Sequence, residues 1–300
     1  MSGKRISIRA RRAVSGYLFI LPFIIGFLCF MLLPLVDSFW MSLCRVDVTA
    51  GQGFQTTFIG LDNYIRAFTI DPEFNKLLSE EIGVMVTHTI AILVVSFVIA
   101  IVLNQEFKGR AFVRAIFFLP MVVAPAAVAM VWKWIFNAEY GILNQVLGTN
   151  IRWLTNPGIV LVTCAIVSIW SSIGYDAVLL LSGIQNISQS LYEAAELDGA
   201  SKVRQFFSIT LPMVSPTLFV VLIMRLMASL KVYDLIYMMV EQTNPALTSA
   251  QSLMYLFYRE SFVAGNKGYA SAIVVWTVLL IGLVTLVQFI GQKKWVNYEV

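Results

Sequence analysis

An arginine stands inside one of the most apolar runs of this chain, LFVVLIMRLMASLKVYD, at position 225. A guanidinium keeps its charge at every accessible pH, and its planar fork of donors can hold vicinal hydroxyls or clasp a carboxylate bidentately. At the centre of a membrane-spanning helix an arginine costs about 2.5–3.5 kcal/mol on insertion scales, too much to leave facing lipid. Arg225 must therefore meet a wet cavity or a polar neighbour. Two readings follow: a clamp on helix carbonyls, or a ligand for a polar solute. The only histidine, His88, lies a turn or two into another apolar run. It reads as a hydrogen-bonding partner for a neighbouring helix. Lys231, nearer the outer end of the Arg225 run, is expected to snorkel. No nucleophile, base and orienter assemble, which speaks against an intramembrane hydrolase. No GxxxxGK[ST] occurs either, so the chain is expected to bind no ATP and to carry no cofactor of its own. Cys29, Cys44 and Cys164 have no metal spacing, and an odd count with two members in apolar runs reads as free thiols.

These groups need elements to hold them, and the composition says which. Of 300 residues 59% are hydrophobic and only 13% charged, about half the charged share of a soluble domain. Mean hydropathy is +0.80. Six windows are long and apolar enough to span a bilayer: Gly16 to Phe39, Ile82 to Leu103, Phe112 to Val131, Ile159 to Leu181, Ser215 to Val232, and Gly268 to Phe289. Pro120, Pro125 and Pro216 kink the third and fifth without forbidding them. Arg225 then falls mid-way along the fifth span. Asp176, the acidic residue well within the inner spans, falls near the end of the fourth. The first window is too long for a signal peptide and lacks a small-x-small site before charge returns, so it reads as an uncleaved anchor.

Charge sets the sidedness. Lys4, Arg5, Arg9, Arg11, Arg12, Lys108, Arg110, Arg114, Lys202, Arg204, Lys293 and Lys294 are twelve of the 21 basic residues, and all fall on one side of a six-span topology. The positive-inside rule then places both termini in the cytoplasm. The expected plan is a basic N-terminus over 1–15, a first span over 16–39, an extracytoplasmic loop over 40–81 ending in the acidic Glu80 and Glu81, a core over 82–290, and a tail over 291–300. No basic patch interleaved with aromatics points to nucleic acid.

One cytoplasmic segment is charged and patterned: EAAELDGASKVRQFFSITLP, Glu193 to Pro212. Ser190 and Glu193 fit a capping box. Leu191, Ala194 and Leu197 lie along one stripe, and Gly199 supplies a left-handed stop. Ser201 can cap a second short helix carrying an apolar patch of Val203, Phe206 and Phe207, which Pro212 is expected to end. The plain reading is an ordered loop. The sharper one is a small-residue face, Ala194 and Ala195, inserted into a partner's groove with Glu193 fixing orientation.

This segment resembles the EAA loop of ABC-importer permeases, in which Glu-Ala-Ala, Asp-Gly-Ala and Leu-Pro recur at this spacing. FIGLDNYIRAF, FKGRAFVRAIFFLP, NAEYGILNQVL and GYASAIVV extend the resemblance over nearly the whole chain. It points to the carbohydrate-uptake group of type I importers, particularly the maltose-transporter type of subunit. The resemblance implies an all-α, polytopic, six-span permease of the MetI-like fold in a bacterial or archaeal cytoplasmic membrane. Implied partners are a second homologous permease, two cytoplasmic ABC ATPases that bind ATP-Mg, and an extracytoplasmic solute-binding protein, with a sugar or oligosaccharide as substrate. Glu193, Ala194, Ala195, Asp198 and Gly199 would dock in the ATPase. Ser172, Tyr175, Arg225, Ala228, Ser229 and Val232 would line the sugar cavity, with Tyr175 stacking on a pyranose and the two serines bonding hydroxyls; Ala228 and Val232 match the relative's pattern poorly. Trp170, read as helix packing, and Asp176 flank this set. Ile187-Ser188 stands where relatives often show Ile-Pro, and Glu241-Gln-Thr-Asn-Pro245 where they show Gly-Gly-Pro. Leu181-Ser-Gly-Ile-Gln185 echoes an ATPase signature but lacks its second glycine and any upstream nucleotide motif. Alternatives remain an acidic saccharide or glycerol phosphate ester as cargo, an ion-coupled secondary transporter, and a structural membrane anchor.

Overall fold

The computed structural model describes residues 8–49 and 53–298; positions 1–7 of the basic N-terminus and 299–300 of the tail lie outside the described residues. Contacts divide the chain into two units, Met1–Ile70 with Arg259–Val275, and Asp71–Tyr258 with Trp276–Val300.

In the first unit, helix α1 (Ile8–Phe27) passes through a π-helical turn at Leu28–Leu32 into α2 (Leu33–Ser42). The most apolar 18-residue window of its spanning stretch, Ser15–Ser42, buries no residue within the chain. A helix apolar all round and unpacked belongs in hydrocarbon or against another polypeptide. A hairpin follows, β1 (Cys44–Thr49) antiparallel to β2 (Gly53–Phe58), where the sequence reading placed only a mixed loop. Its alternation is clear afterwards: Cys44 and Val46 are buried while Arg45 and Asp47 are exposed. Helix α3 (Asp62–Thr69) is held to it by Asn63, whose Nδ2 donates to the carbonyls of Ser42 and Cys44, both at 2.9 Å. Gly268 must lack a side chain, because a Cβ there would overlap the Cys44 carbonyl.

The second unit starts with α4 (Pro72–Asn104), ten residues before the window that hydropathy alone marks. Asp71 caps it, accepting from the amides of Glu73 and Phe74 at 2.9 and 3.1 Å, and Pro72 suits the first turn. The charges that read as loop are thus helical. Glu81, expected at the end of an exposed loop, is buried, and its Oε2 accepts the amide of Leu253 at 2.9 Å. The third window is no continuous helix: α5 (Arg110–Val122) and α6 (Pro125–Ile135) meet at 102°. Pro125 forces the preceding Ala124 into an extended conformation with ψ of 133°, which stops the helix there. The short α7 (Ile142–Leu147) is stapled by Asn144, which donates to the carbonyls of Ala138 and Ile151 and accepts from Trp153 Nε1.

Helix α8 (Val160–Gln185) is the centre of this unit and packs against α4, α5 and α11. Two glycines allow the approach. A Cβ on Gly174 would overlap the Phe117 carbonyl, and one on Gly183 would sit 2.7 Å from Thr217 Oγ1. The chain then forms α9 (Gln189–Leu197) and α10 (Lys202–Gln205), and runs through a π-helical turn at Phe206–Thr210 into α11 (Leu211–Ser229). Pro212 does not end the short helix. The wide turn before it absorbs the missing amide, and Lys202–Ser229 forms one candidate span. After α12 (Asp234–Met239) and α13 (Leu253–Tyr258), the last helix α14 (Lys267–Gly291) leads to the C-terminus. There Phe219 packs edge-on against Phe289 and Trp295, and Asn297 donates its amide to Ser215 Oγ at 2.9 Å. Counting the bent pair as one, the described residues offer six crossings; without it they offer five.

Candidate functional site

Two places gather the chemically capable residues. The first is the seam between α8 and α11. Asp176 lies more than two turns inside α8 rather than near its end, fully buried, and Arg225 lies one turn before the end of α11 rather than mid-way. Arg225 Nε stands 2.6 Å from Asp176 Oδ2, with the arginine side chain 15% exposed. The contact is a close ion pair. Arg225 Nε and both Asp176 oxygens are shut off from solvent, and the two charged groups are in direct contact. The alternative of a clamp on helix carbonyls is thereby replaced by a carboxylate partner.

The other residues assigned to this seam divide. Ser172 and Tyr175 are half-buried on α8; Ser172 lies four residues, about one turn, before Asp176, whereas Tyr175 is its chain neighbour and leaves the helix in a different direction. Ser229 and Val232 line a cavity of about 80 Å³ with His88, Ser168 and Gln251. Ser229 Oγ donates to the Leu226 carbonyl of its own helix. Ala228 is exposed, and Val232, beyond the helix end, gives its carbonyl to Ser252 Oγ. His88 does not make the expected interhelix bond: its buried Nε2 has no hydrogen-bond partner. Trp170 packs edge-on against Trp132 at 5.5 Å, as its packing reading anticipates, and Lys231 is exposed. The three cysteines are free thiols.

The second place is the turn between α9 and α10. Gly199 adopts φ +73°, its amide bonds the Glu196 carbonyl at 3.0 Å, and the Ala200 amide bonds the Ala195 carbonyl at 2.9 Å. That double closure is a Schellman motif. The capping box does not form: Ser188 is the N-cap, and its hydroxyl pairs with Ser190 Oγ at 2.8 Å. Ser201 does cap α10, accepting from the Arg204 amide. Glu193, Ala194, Asp198 and Gly199 are exposed and Ala195 half-buried; no residue of α9 is buried, and Leu197 is 91% exposed. Val203 and Phe207 are exposed beside it, whereas Phe206 turns inward onto Phe97. Sequence reasoning missed the tie that roots this segment, Tyr192 Oη to Thr210 Oγ1 at 2.9 Å. Lys202 pairs with Glu196 and holds its carboxyl below the usual range.

Residues 92–295 match the family described as binding-protein-dependent transport system inner membrane component. The chain belongs to this family. Such a permease is a multi-pass transport subunit of an ABC importer, and ATP hydrolysis falls to separate subunits. It is 35% identical over 93% of its length, and 94% of the relative, to the trehalose/maltose transport system permease protein MalF of Thermococcus litoralis. It is 30% identical to the sn-glycerol-3-phosphate transport system permease protein UgpA of Escherichia coli, with both chains fully covered. Among solved structures, a chain of a bacterial ABC transporter involved in import of the acidic polysaccharide alginate superposes with a TM-score of 0.84 at 23% identity, over 96% of this permease and 98% of that chain. At that identity the likeness speaks for the fold.

Proposed function

We propose that this permease translocates a sugar or oligosaccharide, delivered by an extracytoplasmic solute-binding protein, in partnership with a second homologous permease and two cytoplasmic ABC ATPases. The observation that carries the reading is the exposed α9–α10 turn. It presents a small-residue face and the carboxylates of Glu193 and Asp198 on a Schellman closure, rooted by Tyr192 on Thr210 and with no residue of α9 buried in its own chain. A helix so exposed yet so well defined suits insertion in a partner's cleft. Glu193, Ala194, Ala195, Asp198 and Gly199 would make that contact; ATP-Mg stays on the partner. The twelve clustered basic residues support both termini in the cytoplasm and the membrane as the cytoplasmic membrane. Ser172, Tyr175, Arg225, Ser229, Ala228 and Val232 would border the sugar path. The saccharide assignment draws support from the trehalose/maltose relative.

Coupling here is a difference in affinity for two states of the complex, with no chemistry within the permease. The complex reconstituted in proteoliposomes with ATP on the ATPase side is expected to accumulate oligosaccharide, and accumulation should persist when ionophores collapse ion gradients. Uptake that needs a gradient and ignores ATP would refute the importer mechanism.

A further inference from the structure

Arg225 does not enter the α8–α11 seam as a bare cation. Its Nε faces Asp176 Oδ2 at 2.6 Å, and Nε and both carboxylate oxygens are sealed from solvent. The exposure that Arg225 retains therefore lies elsewhere on its side chain. Asp176 is wholly buried. The pair sums to zero charge. An anionic solute arriving at this seam would find a guanidinium whose field is already cancelled, and would have to compete with a carboxylate held at ion-pair distance. A hydroxyl oxygen needs only a donor, which the guanidinium N–H groups turned away from Asp176 still supply.

We propose that Asp176 is a positioning residue that sets the charge preference of the path: by pairing with Arg225 it makes the seam select uncharged saccharides over anionic ones. The inference rests on the saccharide-importer reading above and sharpens it to a substrate class. It also gives the arginine a different meaning from an anion receptor, the role its charge alone would suggest.

The test uses the complete importer in lipid nanodiscs, with binding of labelled maltotriose and trigalacturonate measured by equilibrium dialysis in the absence of the solute-binding protein, whose own selectivity would otherwise dominate. The wild-type complex is expected to prefer maltotriose. Asp176→Asn should shift the ratio of the two affinities toward trigalacturonate by at least tenfold, and the shift should weaken as salt rises. Asp176→Glu, which restores the carboxylate, should return the ratio toward wild type. In the double variant Asp176→Asn, Arg225→Gln the shift should vanish, since no free cation remains. A merely structural pair would change both affinities together and leave their ratio alone; that result overturns the proposal. Should Asp176→Asn fail to assemble, the exchanged pair Asp176→Arg with Arg225→Asp decides: a preference for maltotriose supports the inference, and a preference for trigalacturonate, or no assembly, overturns it. Failure of the complete complex to bind either probe, with assembly intact, removes the saccharide reading itself, whereas binding of maltotriose with an unmoved ratio removes only the role given to Asp176.

Discussion

At the scale of single residues, the informative positions are those where one atom more or less changes the packing. Gly174 lies two residues from Asp176 and directly against the Phe117 carbonyl. Any side chain there must push α8 away from α5, and with it the carboxylate that meets Arg225. Overpacking of this kind costs about 1–3 kcal/mol, and a backbone obstacle yields less readily than a side chain. Gly174→Val is therefore expected to lower the thermal midpoint of the solubilised complex and to reduce uptake. Gly282→Val makes the comparison, since nothing lies within 4 Å of a Cβ there. Equal midpoints for the two variants would contradict the close approach of α5 and α8. The Asp176–Arg225 pair answers to the same scale. Breaking a buried pair by removing one member typically costs about 3–5 kcal/mol, while removing both costs far less, because the penalty lies in the charge left alone.

Among the elements, the α9–α10 turn combines local rigidity with outward exposure. Its left-handed residue is Gly199, and an L side chain in that conformation costs about 1–2 kcal/mol, least for asparagine, which bonds locally there. Gly199→Val is expected to abolish co-purification of the ATPase and ATP-dependent uptake, with Gly199→Asn intermediate and the thermal midpoint of the permease little changed in both. Full ATPase binding by the valine variant would argue against this turn as the docking element. The Glu196–Lys202 pair spans the same turn. Because Lys202 depresses the Glu196 carboxyl, the pair's contribution holds at neutral pH and fades only as pH falls through that lowered value. Much of this element is legible in the sequence: glycine after a short apolar stripe, then serine, then an apolar patch. The capping box is not, because Ser188 and Ser190 are both competent caps and the backbone chooses between them. Nor is the fate of Pro212, since a π-helical turn leaves no residue signature of its own.

For the molecule as a whole, hydropathy finds the spans but not their interruptions or extensions. The third window reads as one run because its residues are uniformly apolar, yet Pro125 breaks it and the two halves meet at 102°. The second span starts early because Asp71 and Pro72 open a helix whose first turns carry charge, a signal that apolar averaging discards. The hairpin is hard to read for want of length, with two strands of six residues each among mixed neighbours. Pairing between distant helices is the least legible: Arg225 announces a need for a partner, but which face of α8 answers depends on how the glycines let the helices approach. The sidedness deduced from charge can be checked directly. In a background with the three native cysteines replaced by serine, a membrane-impermeant maleimide should label Glu139→Cys in right-side-out vesicles and Ala194→Cys only in inverted ones; the opposite pattern would invert the topology.

The π-helical turn at Phe206–Thr210 has a mechanical consequence. It splices α10 to α11, so the rod that begins at Lys202, beside the exposed turn, ends at Ser229. At 1.5 Å per residue the distance from Lys202 to Arg225 is roughly 35 Å, so a swing of about 10° at the root would carry the guanidinium about 6 Å sideways. Few other joints would convert so slight a tug at one membrane surface into a stroke as wide as a monosaccharide ring.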